Sequence, residues 1–251
     1  MVIDHYTRSS MLHWYPKIKH LNIPQPETKI VEIPFYKFTE LIDGNSTLSE
    51  YSETFSKIIQ SLEPFPIFLR TDNSSQKHSF KKTCRLPDEK SLFGHILELV
   101  DSNMASDLID NALIFRKWLD LDAGFSAFDG LPINTEARIF VNAGTIQCIH
   151  PYWPEDAIQQ WLNQRKSFEM QFDTKLPNII NPRWKEILKS QNDIVVKSKP
   201  ILEKYCTMVI DSIGNDYWSV DFALGRDGKW YLIDCAAGEV SWHHHDCKFS
   251  P

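Results

Sequence analysis

The sequence predicts an α+β fold of two lobes. Helices and hairpin strands follow one another in runs, which favours antiparallel sheets over a strictly alternating βα fold. A chain of 251 residues is long enough to build one large core or two lobes. Its composition, with 42% hydrophobic and 24% charged residues, is typical of a folded globular chain.

In the first half of the chain, apolar spacing and proline positions predict three strands and two helices. Residues 1–35 are polar and contain four prolines, so we expect short strands and loops there, with residues 29–33 as one of the strands. In the second helix, Phe93 and Leu97 are expected on the buried face. The strands are expected over 29–33, 67–69 and 112–115, and the helices over 48–62 and 88–100.

The second half is expected to contain two hairpins separated by helices. Residues 142–144 form a turn signal, Pro154 suits the first turn of a helix, and Pro200 should interrupt a long helical stretch. The expected elements are strands over 136–141 and 145–149, a helix that begins near Pro154, helical residues over 182–213 and a hairpin over 217–234.

The scarcity of glycine excludes several classes of protein. Nine glycines in 251 residues is about half the usual share, and neither common glycine-rich phosphate-binding motif is present. Any phosphate must therefore be held by other groups. The net charge of −6 argues against general nucleic-acid binding. Apolar runs are too short for a membrane span or a secretion signal, and five cysteines without a C-x-x-C pair favour reduced thiols in the cytoplasm.

The final hairpin carries two carboxylates in apolar strands. A two-residue turn at Asp227–Gly228 sets a register in which Phe222 faces Ile233 and Asp221 faces Asp234. Like charges so placed repel, so one must be protonated or both must share a cation. Oxygen ligands alone suit Mg²⁺ completed by phosphates and water. The alternative is that one or both aspartates point to water at the sheet edge.

Basic residues stand where buried strands are expected to end. Arg70 follows the strand over 67–69, and Arg116 follows the strand over 112–115. Glu136 and Arg138 are two residues apart on one strand and so share a face. Arginine together with Mg²⁺ can hold a polyphosphate. Each charge taken alone is equally consistent with a solvated strand end.

Taken in order, these motifs resemble the ATP-grasp superfamily. The resemblance covers residues 64–241 and rests on four motifs in order. The first is a strand followed by Arg70, a polar loop and Lys77, and the second is Leu-Ile-Phe-Arg-Lys-Trp over residues 113–118. The third is Glu136-x-Arg138, and the fourth pairs Val-Asp-Phe at 220–222 with Leu-Ile-Asp at 232–234. Within the superfamily it is nearest to the cell-division-cycle 123 type, which assists assembly of a translation initiation factor, and to microbial and phage relatives. It implies two α+β lobes that clamp a nucleotide between antiparallel sheets. The domains would be a short N-terminal segment over 1–45, a first lobe over 46–115 and a second lobe over 116–251.

The resemblance also implies ligands and roles. The ligands would be ATP and Mg²⁺, with an unknown carboxylate and amine or a protein as the further partner. The phosphate contacts would be Arg70, Ser75 and Lys77. The adenine contacts would be Lys117, Trp118 and Leu119, and either Asp120 or Asp122 would reach the ribose. The catalytic residues would be Arg116, Glu136 and Arg138, and the metal ligands Asp221, Asp234 and Glu239.

One departure from the family pattern bears on the reaction. The superfamily usually has Asn two residues after the second acid, where this chain has Ala236. The implied activity is an ATP-dependent carboxylate–amine ligation through an acyl-phosphate. The first alternative is an assembly chaperone that binds ATP and ligates nothing. The second is a metal-dependent hydrolase that uses the tail His243–His244–His245–Asp246–Cys247, although consecutive strand residues rarely converge on one metal.

Overall fold

A computed structural model describes residues 4–128, 130–174 and 180–250. The chain divides into two compact units. Unit 1 comprises Met1–Pro16 and Gln25–Leu119, and unit 2 comprises Lys17–Pro24 and Asp120–Pro251. Each unit combines α-helices with an antiparallel sheet, which confirms the predicted α+β class.

Unit 1 is built around a four-stranded antiparallel sheet in the order β1-β4-β2-β3. Its strands are β1 (Thr28–Glu32), β2 (Ile67–Thr71), β3 (Arg85–Leu86) and β4 (Ala112–Lys117). The helices of this half of the chain are α1 (His5–Ser9), α2 (Met11–Ile18), α3 (Phe35–Ile42), α4 (Ser52–Leu62) and α5 (Leu92–Met104).

The sheet of unit 1 buries one face against the helices. Strand residues alternate between faces, so every second residue points into the core. The core residues contributed by β2 and β4 are Ile67, Leu69, Leu113 and Phe115, and those from α4 and α5 include Phe55, Ile59, Leu62, Ile96, Leu99 and Val100. Arg70 on β2 and Arg116 on β4 therefore lie on the opposite face of the sheet.

Two predictions for this half are wrong. The N-terminal residues were expected to form loops and strands, but α1 and α2 occupy residues 5–18. Met11, Trp14 and Ile18 recur at helical spacing in α2 and are fully buried, and Pro16 is accommodated inside the helix. Proline density there masked a short amphipathic pattern.

The second error concerns the buried face of α5. Phe93 and Leu97 are exposed, at 46% and 36% of their surface, whereas His95 and Asn103 are buried. His95 Nδ1 lies 2.8 Å from the Thr83 carbonyl oxygen, so the inward polar groups are hydrogen-bonded within the fold. Polar residues with partners from distant loops cannot be assigned to a core from periodicity alone.

Unit 2 contains a second four-stranded antiparallel sheet in the order β10-β9-β7-β8, and a separate hairpin, β5-β6. Its strands are β5 (Ala123–Ala127), β6 (Leu131–Asn134), β7 (Glu136–Asn142), β8 (Thr145–Pro151), β9 (Trp218–Leu224) and β10 (Trp230–Ala237). Its helices are α6 (Glu155–Gln171), α7 (Trp184–Lys197) and α8 (Lys199–Ile213). The β5-β6 hairpin was missed, because Ala, Gly and Pro are poor strand formers.

Two local predictions for unit 2 are confirmed. The long helical stretch is interrupted at Ser198, and Pro200 lies in the first turn of α8. Ala143 and Gly144 connect β7 and β8 with φ values of 49° and 75°, as a two-residue type I′ turn requires. Among the described residues, no helix is both long and apolar enough to cross a membrane.

Candidate functional site

The terminal hairpin places Asp221 on β9 directly opposite Asp234 on β10. Its turn holds three residues rather than the predicted two, because the N–H of Gly225 donates to the carbonyl of Lys229 over 2.8 Å. Gly228, with φ of 78°, supplies the left-handed residue that closes a three-residue turn. The longer turn shifts the pairing of the two strands by one residue.

A β-bulge in β10 cancels that shift. Phe222 pairs with Leu232, so the predicted pairing of Phe222 with Ile233 is wrong. The register then changes between Leu232 and Asp234, which makes Ile233 the extra residue and brings Asp234 opposite Asp221. The predicted pairing of the two aspartates is confirmed, through a turn and a bulge that compensate for each other.

Arg138 on β7 forms a bidentate ion pair with Asp221. The two residues are cross-strand partners. Nε donates to Oδ1 over 2.9 Å and Nη2 donates to Oδ2 over 2.8 Å, with the side chains 13% and 7% exposed. The third nitrogen, Nη1, donates to the carbonyl of Trp242 over 3.1 Å, and the guanidinium carbon lies 4.5 Å from the centre of the Tyr152 ring.

The electrostatics of this group favour a permanently charged arginine. Burial alone would lower the pKa of Arg138, but the adjacent Asp221 carboxylate outweighs burial and raises the pKa, with smaller contributions from Tyr152 and Asp234. The structure thus supplies one cation for the carboxylate pair from within the sheet.

The carboxylate oxygens are chemically suited to a hard divalent cation. Asp234 is half-buried, and its Oδ1 accepts from the N–H of Cys235 over 3.1 Å. Each Asp221 oxygen keeps a second lone pair beside the one that meets Arg138. Two carboxylates on adjacent strands therefore fit Mg²⁺, which prefers oxygen ligands and retains water and phosphate oxygens. Glu239 lies exposed in a short 3₁₀ turn just after β10.

Glu136 begins β7 on the same face as Arg138. Its side chain is only 6% exposed, and Oε1 accepts from the side-chain amide of Asn134 over 3.2 Å. Arg138, Glu136 and the two aspartates thus come from three adjacent strands of one sheet.

In unit 1 the sheet brings together Arg70 and Arg116. Arg70 pairs with Ile114 and Arg116 pairs with Phe68, so both arginines lie on the face opposite the core as diagonal neighbours. Both lie inside β2 and β4, since each strand extends past its predicted end.

Both arginines of unit 1 are buried, with exposures of 3% and 4%. Arg70 Nε donates to the Thr71 carbonyl over 2.9 Å. Arg116 Nε lies 3.3 Å from the Thr28 hydroxyl. The two guanidinium groups thus lie on one face of the sheet, and guanidinium is a group that can bind an anion through charge-assisted hydrogen bonds.

The loop after β2 carries Ser75 and Lys77, both half-buried. Asp72 anchors its first residues, because Oδ1 accepts from the N–H groups of Asn111 and Ala112 over 2.8 and 3.1 Å. Lys77 begins a short 3₁₀ helix, Lys77–Ser79. The loop is therefore attached to the first residue of β4, and it contains no glycine.

The predicted adenine and ribose contacts follow β4. Lys117 is exposed, and its N–H donates to the Glu27 carbonyl over 2.8 Å. Trp118 and Leu119 are half-buried, with the Trp118 ring 6.0 Å from the ring of Phe80. Asp120 is exposed and lies 3.3 Å from Arg226 Nε.

Sequence reasoning missed a second cluster, formed by Cys148 and His150 of β8 with His243 and Cys247 of the tail. One ligand atom from each of the four lies within 4.8 Å of the others. The available signal was a Cys-x-His pair in a strand and a His-x₃-Cys pair in the tail. The tail was considered alone, as five consecutive residues. His243 and Cys247 join the residues of β8, whereas His244, His245 and Asp246 form a separate group whose ligand atoms also lie within 4.8 Å of one another.

Burial keeps three members of this cluster neutral near pH 7. It lowers the pKa of His150 to about 4 and also lowers that of His243. Burial, together with the neighbouring Cys247, raises the pKa of Cys148 to about 12.

Comparisons with solved structures identify the fold. C-terminally truncated Cdc123 from Schizosaccharomyces pombe matches at a TM-score of 0.57 and 15% identity, over 94% of this chain and 86% of that one. The VanG D-Ala:D-Ser ligase from Enterococcus faecalis matches at 0.50 and 11%, over 93% of this chain and 53% of that one. A RimK-domain ATP-grasp protein from Sphaerobacter thermophilus matches at 0.45 and 10%, over 94% and 60%.

Sequence comparisons add no further relatives. No family model matches the chain, and no curated protein matches it. The chain spans only about half to three fifths of the VanG and RimK-domain proteins. At these identities the likeness concerns the fold alone: the chain has the ATP-grasp fold that its motifs resemble, shared with Cdc123 and with the VanG ligase.

Proposed function

We propose that this protein binds Mg·ATP and uses it to join a carboxylate to an amine. The observation that carries the proposal is the pairing of Asp221 with Asp234 across adjacent strands, with Arg138 on the third. This arrangement combines two oxygen ligands for a metal with a fixed guanidinium. The ATP-grasp fold makes ATP the expected nucleotide.

Mg²⁺ would be held by Asp234 and Asp221, with Glu239 as a further candidate ligand. When bound, the ion neutralises charge on phosphate oxygens. The half-buried position of Asp234 leaves it accessible to a hydrated ion, whereas Asp221 also orients Arg138.

The nucleotide contacts proposed for unit 1 follow from the buried arginine pair and the neighbouring loop. Arg70, Ser75 and Lys77 would bind phosphate oxygens, because guanidinium and ammonium groups form charge-assisted hydrogen bonds. The backbone of residues 117–119 would read the adenine edge, and Asp120 would reach the ribose. Arg116 would add positive charge next to Arg70.

The proposed reaction needs no side-chain nucleophile. A substrate carboxylate attacks the γ-phosphorus of ATP, ADP leaves, and the resulting acyl-phosphate is attacked by an amine that expels phosphate and loses a proton. Arg138 would stabilise charge on the reacting carbonyl oxygen. Glu136, buried on the same face, would position the second substrate or accept its proton.

The second candidate function is an ATP-binding assembly chaperone that ligates nothing. It is favoured by Ala236, which replaces a usual metal-binding Asn, and by the more complete coverage of Cdc123, at 86%, than of the VanG ligase, at 53%. In this case Mg·ATP would stabilise a conformation that grips a protein partner.

The two functions are separated by following ADP release from Mg·ATP with and without pools of amino acids and short peptides as carboxylate and amine donors. A ligase releases ADP only when both donors are present, and mass spectrometry detects the joined product. Tight Mg·ATP binding with no donor-dependent ADP release supports the chaperone. Absence of Mg·ATP binding by calorimetry overturns both.

A further inference from the structure

The cluster of Cys148, His150, His243 and Cys247, defined above, borders Arg138 but shares no residue with the groups assigned to ATP and Mg²⁺. Cys148 and His150 are two residues apart on β8, so their side chains share a face. His243 and Cys247 come from the tail after β10, where the N–H of Cys247 donates to the His244 carbonyl over 3.0 Å. This turn places the side chains of His243 and Cys247 close to each other and to those of Cys148 and His150.

The spacing of the ligand atoms approaches that of a tetrahedral metal site. Bond lengths of about 2.0–2.3 Å place neighbouring ligand atoms about 3.3–3.8 Å apart around zinc. The four atoms here lie within 4.8 Å of one another, and Cys148 Sγ lies 3.2 Å from His243 Nε2. Zinc binding would draw the more widely spaced ligand atoms together.

One buried nitrogen independently points to a ligand. Nε2 of His150 is buried and has no hydrogen-bond partner among the described residues. A buried polar atom without a partner costs free energy that a bound cation would recover. The His150 ring lies 5.3 Å from the ring of His243, and a nitrogen of His150 is among the four ligand atoms that lie within 4.8 Å of one another.

The surroundings of His243 also fit a ligand. Its Nδ1 lies 3.4 Å from the Tyr217 hydroxyl, so Nδ1–H can donate there and leave Nε2 directed at the metal. Phe140 stacks on the imidazole at 3.8 Å with an interplanar angle of 6°, which fixes the ring plane. Ligating histidines in proteins are commonly oriented by such outer contacts.

We propose that Cys148, His150, His243 and Cys247 form a structural Zn²⁺ site. Two soft thiolates with two imidazoles select zinc over Mg²⁺ or Ca²⁺. Two thiolates balance the charge of Zn²⁺, which suits a partly buried position beside Phe140. Because the protein provides all four ligands, no position remains open for water, and this excludes hydrolytic chemistry at this ion.

The site would tie the tail to the sheet next to Arg138. Arg138 pairs with His150 across β7 and β8, and its Nη1 donates to the carbonyl of Trp242, the residue before the ligand His243. The zinc ion would therefore hold the Trp242 carbonyl in place against the guanidinium, and so support the Arg138–Asp221 pair from the side opposite β9.

The test is metal analysis of the full chain, made without a polyhistidine tag in zinc-supplemented medium. We expect about one zinc per chain by plasma mass spectrometry, and less than a tenth of that in Cys148→Ser/Cys247→Ser. His245→Ala and Cys206→Ala, which alter a tail histidine and a buried cysteine of α8 that are not among the four ligands, should keep full occupancy.

A second measurement does not depend on the folding of variants. The wild-type chain, stripped with a chelator and loaded with Co²⁺, should show the intense visible bands and the thiolate charge-transfer band of a tetrahedral Co²⁺–thiolate centre. The proposal would be overturned if the wild type is isolated without zinc and, after loading with Co²⁺, shows only the weak bands of octahedral Co²⁺. It would also be overturned by a Cys148–Cys247 disulfide in the protein as isolated under reducing conditions, or by unchanged zinc in the double variant.

Discussion

Asp221 gives both of its carboxylate oxygens to Arg138, while Asp234 lies opposite it in a half-buried position on β10. The two acids of the pair therefore differ in environment, although they were predicted as equivalent metal ligands. Loss of Asp221 leaves a mostly buried guanidinium without its carboxylate, whereas loss of Asp234 chiefly removes an oxygen ligand. The two substitutions should have different effects on folding and on ATP.

Asp234→Asn should abolish the thermal stabilisation caused by Mg·ATP and leave the fold intact. For the wild type at 100 times Kd, binding contributes about 2.7 kcal/mol, which is a shift of about 5 °C or more for a chain of this size. Thermal unfolding with and without Mg·ATP measures the effect. Asp211→Asn, an exposed change on α8, serves as the control and should retain the full shift. An unchanged shift in Asp234→Asn would remove Asp234 from the site.

Asp221→Ala should destabilise the protein itself, by about 3–5 kcal/mol, because Arg138 is left buried with an uncompensated charge. Chemical denaturation without nucleotide measures this loss. The double variant Arg138→Met/Asp221→Leu should recover most of it, since a buried ion pair replaced by apolar groups is often neutral. If the single and double variants are equally unstable, the pair is not the source of the loss.

Arg70→Ala should weaken ATP binding by about tenfold or more and adenosine binding by less than about twofold, because its proposed partner is phosphate. Calorimetric titration of both ligands measures the two constants. Arg70→Lys should restore part of the ATP affinity by keeping the charge. Equal losses for ATP and adenosine would place Arg70 away from the phosphates.

Asp110 gives unit 1 a distinctive pH dependence. Burial raises its pKa to about 6, although hydrogen bonds from the Asn103 and Asn73 amides oppose burial. The folded-state pKa lies above the ordinary value of 3.8, so the folded state binds this proton more tightly, and stability rises as pH falls through about 6. Wild type relative to Asp110→Asn should gain about 1 kcal/mol between pH 7 and pH 5. Parallel stability–pH profiles for the two proteins would contradict this assignment.

The sequence predicts best where a feature depends on neighbouring residues. The Ala143–Gly144 turn, the break before Pro200 and the final hairpin are set by local chemistry, and each is present. Helix α2 is local too, but Pro16 inside it concealed the pattern of Met11 and Trp14.

Features that depend on distant segments could not be predicted. The contact of Arg138 with Asp221 spans 83 residues and requires β7 to lie beside β9, which hairpin patterns do not specify. The Cys148–His243 contact spans 95 residues and requires the tail to return to β8. The residue types were visible in each case, but their convergence follows from the strand order of the sheet.

The bulge at Ile233 affects how such chains can vary in length. Twelve residues separate Asp221 from Asp234, and the bulge residue contributes to neither the turn nor the regular ladder. A chain that lost this residue would form an unbroken ladder in which the two acids still meet. A sequence search that fixes the number of residues between the two aspartates would overlook such a chain. A search for related proteins should therefore allow this number to vary.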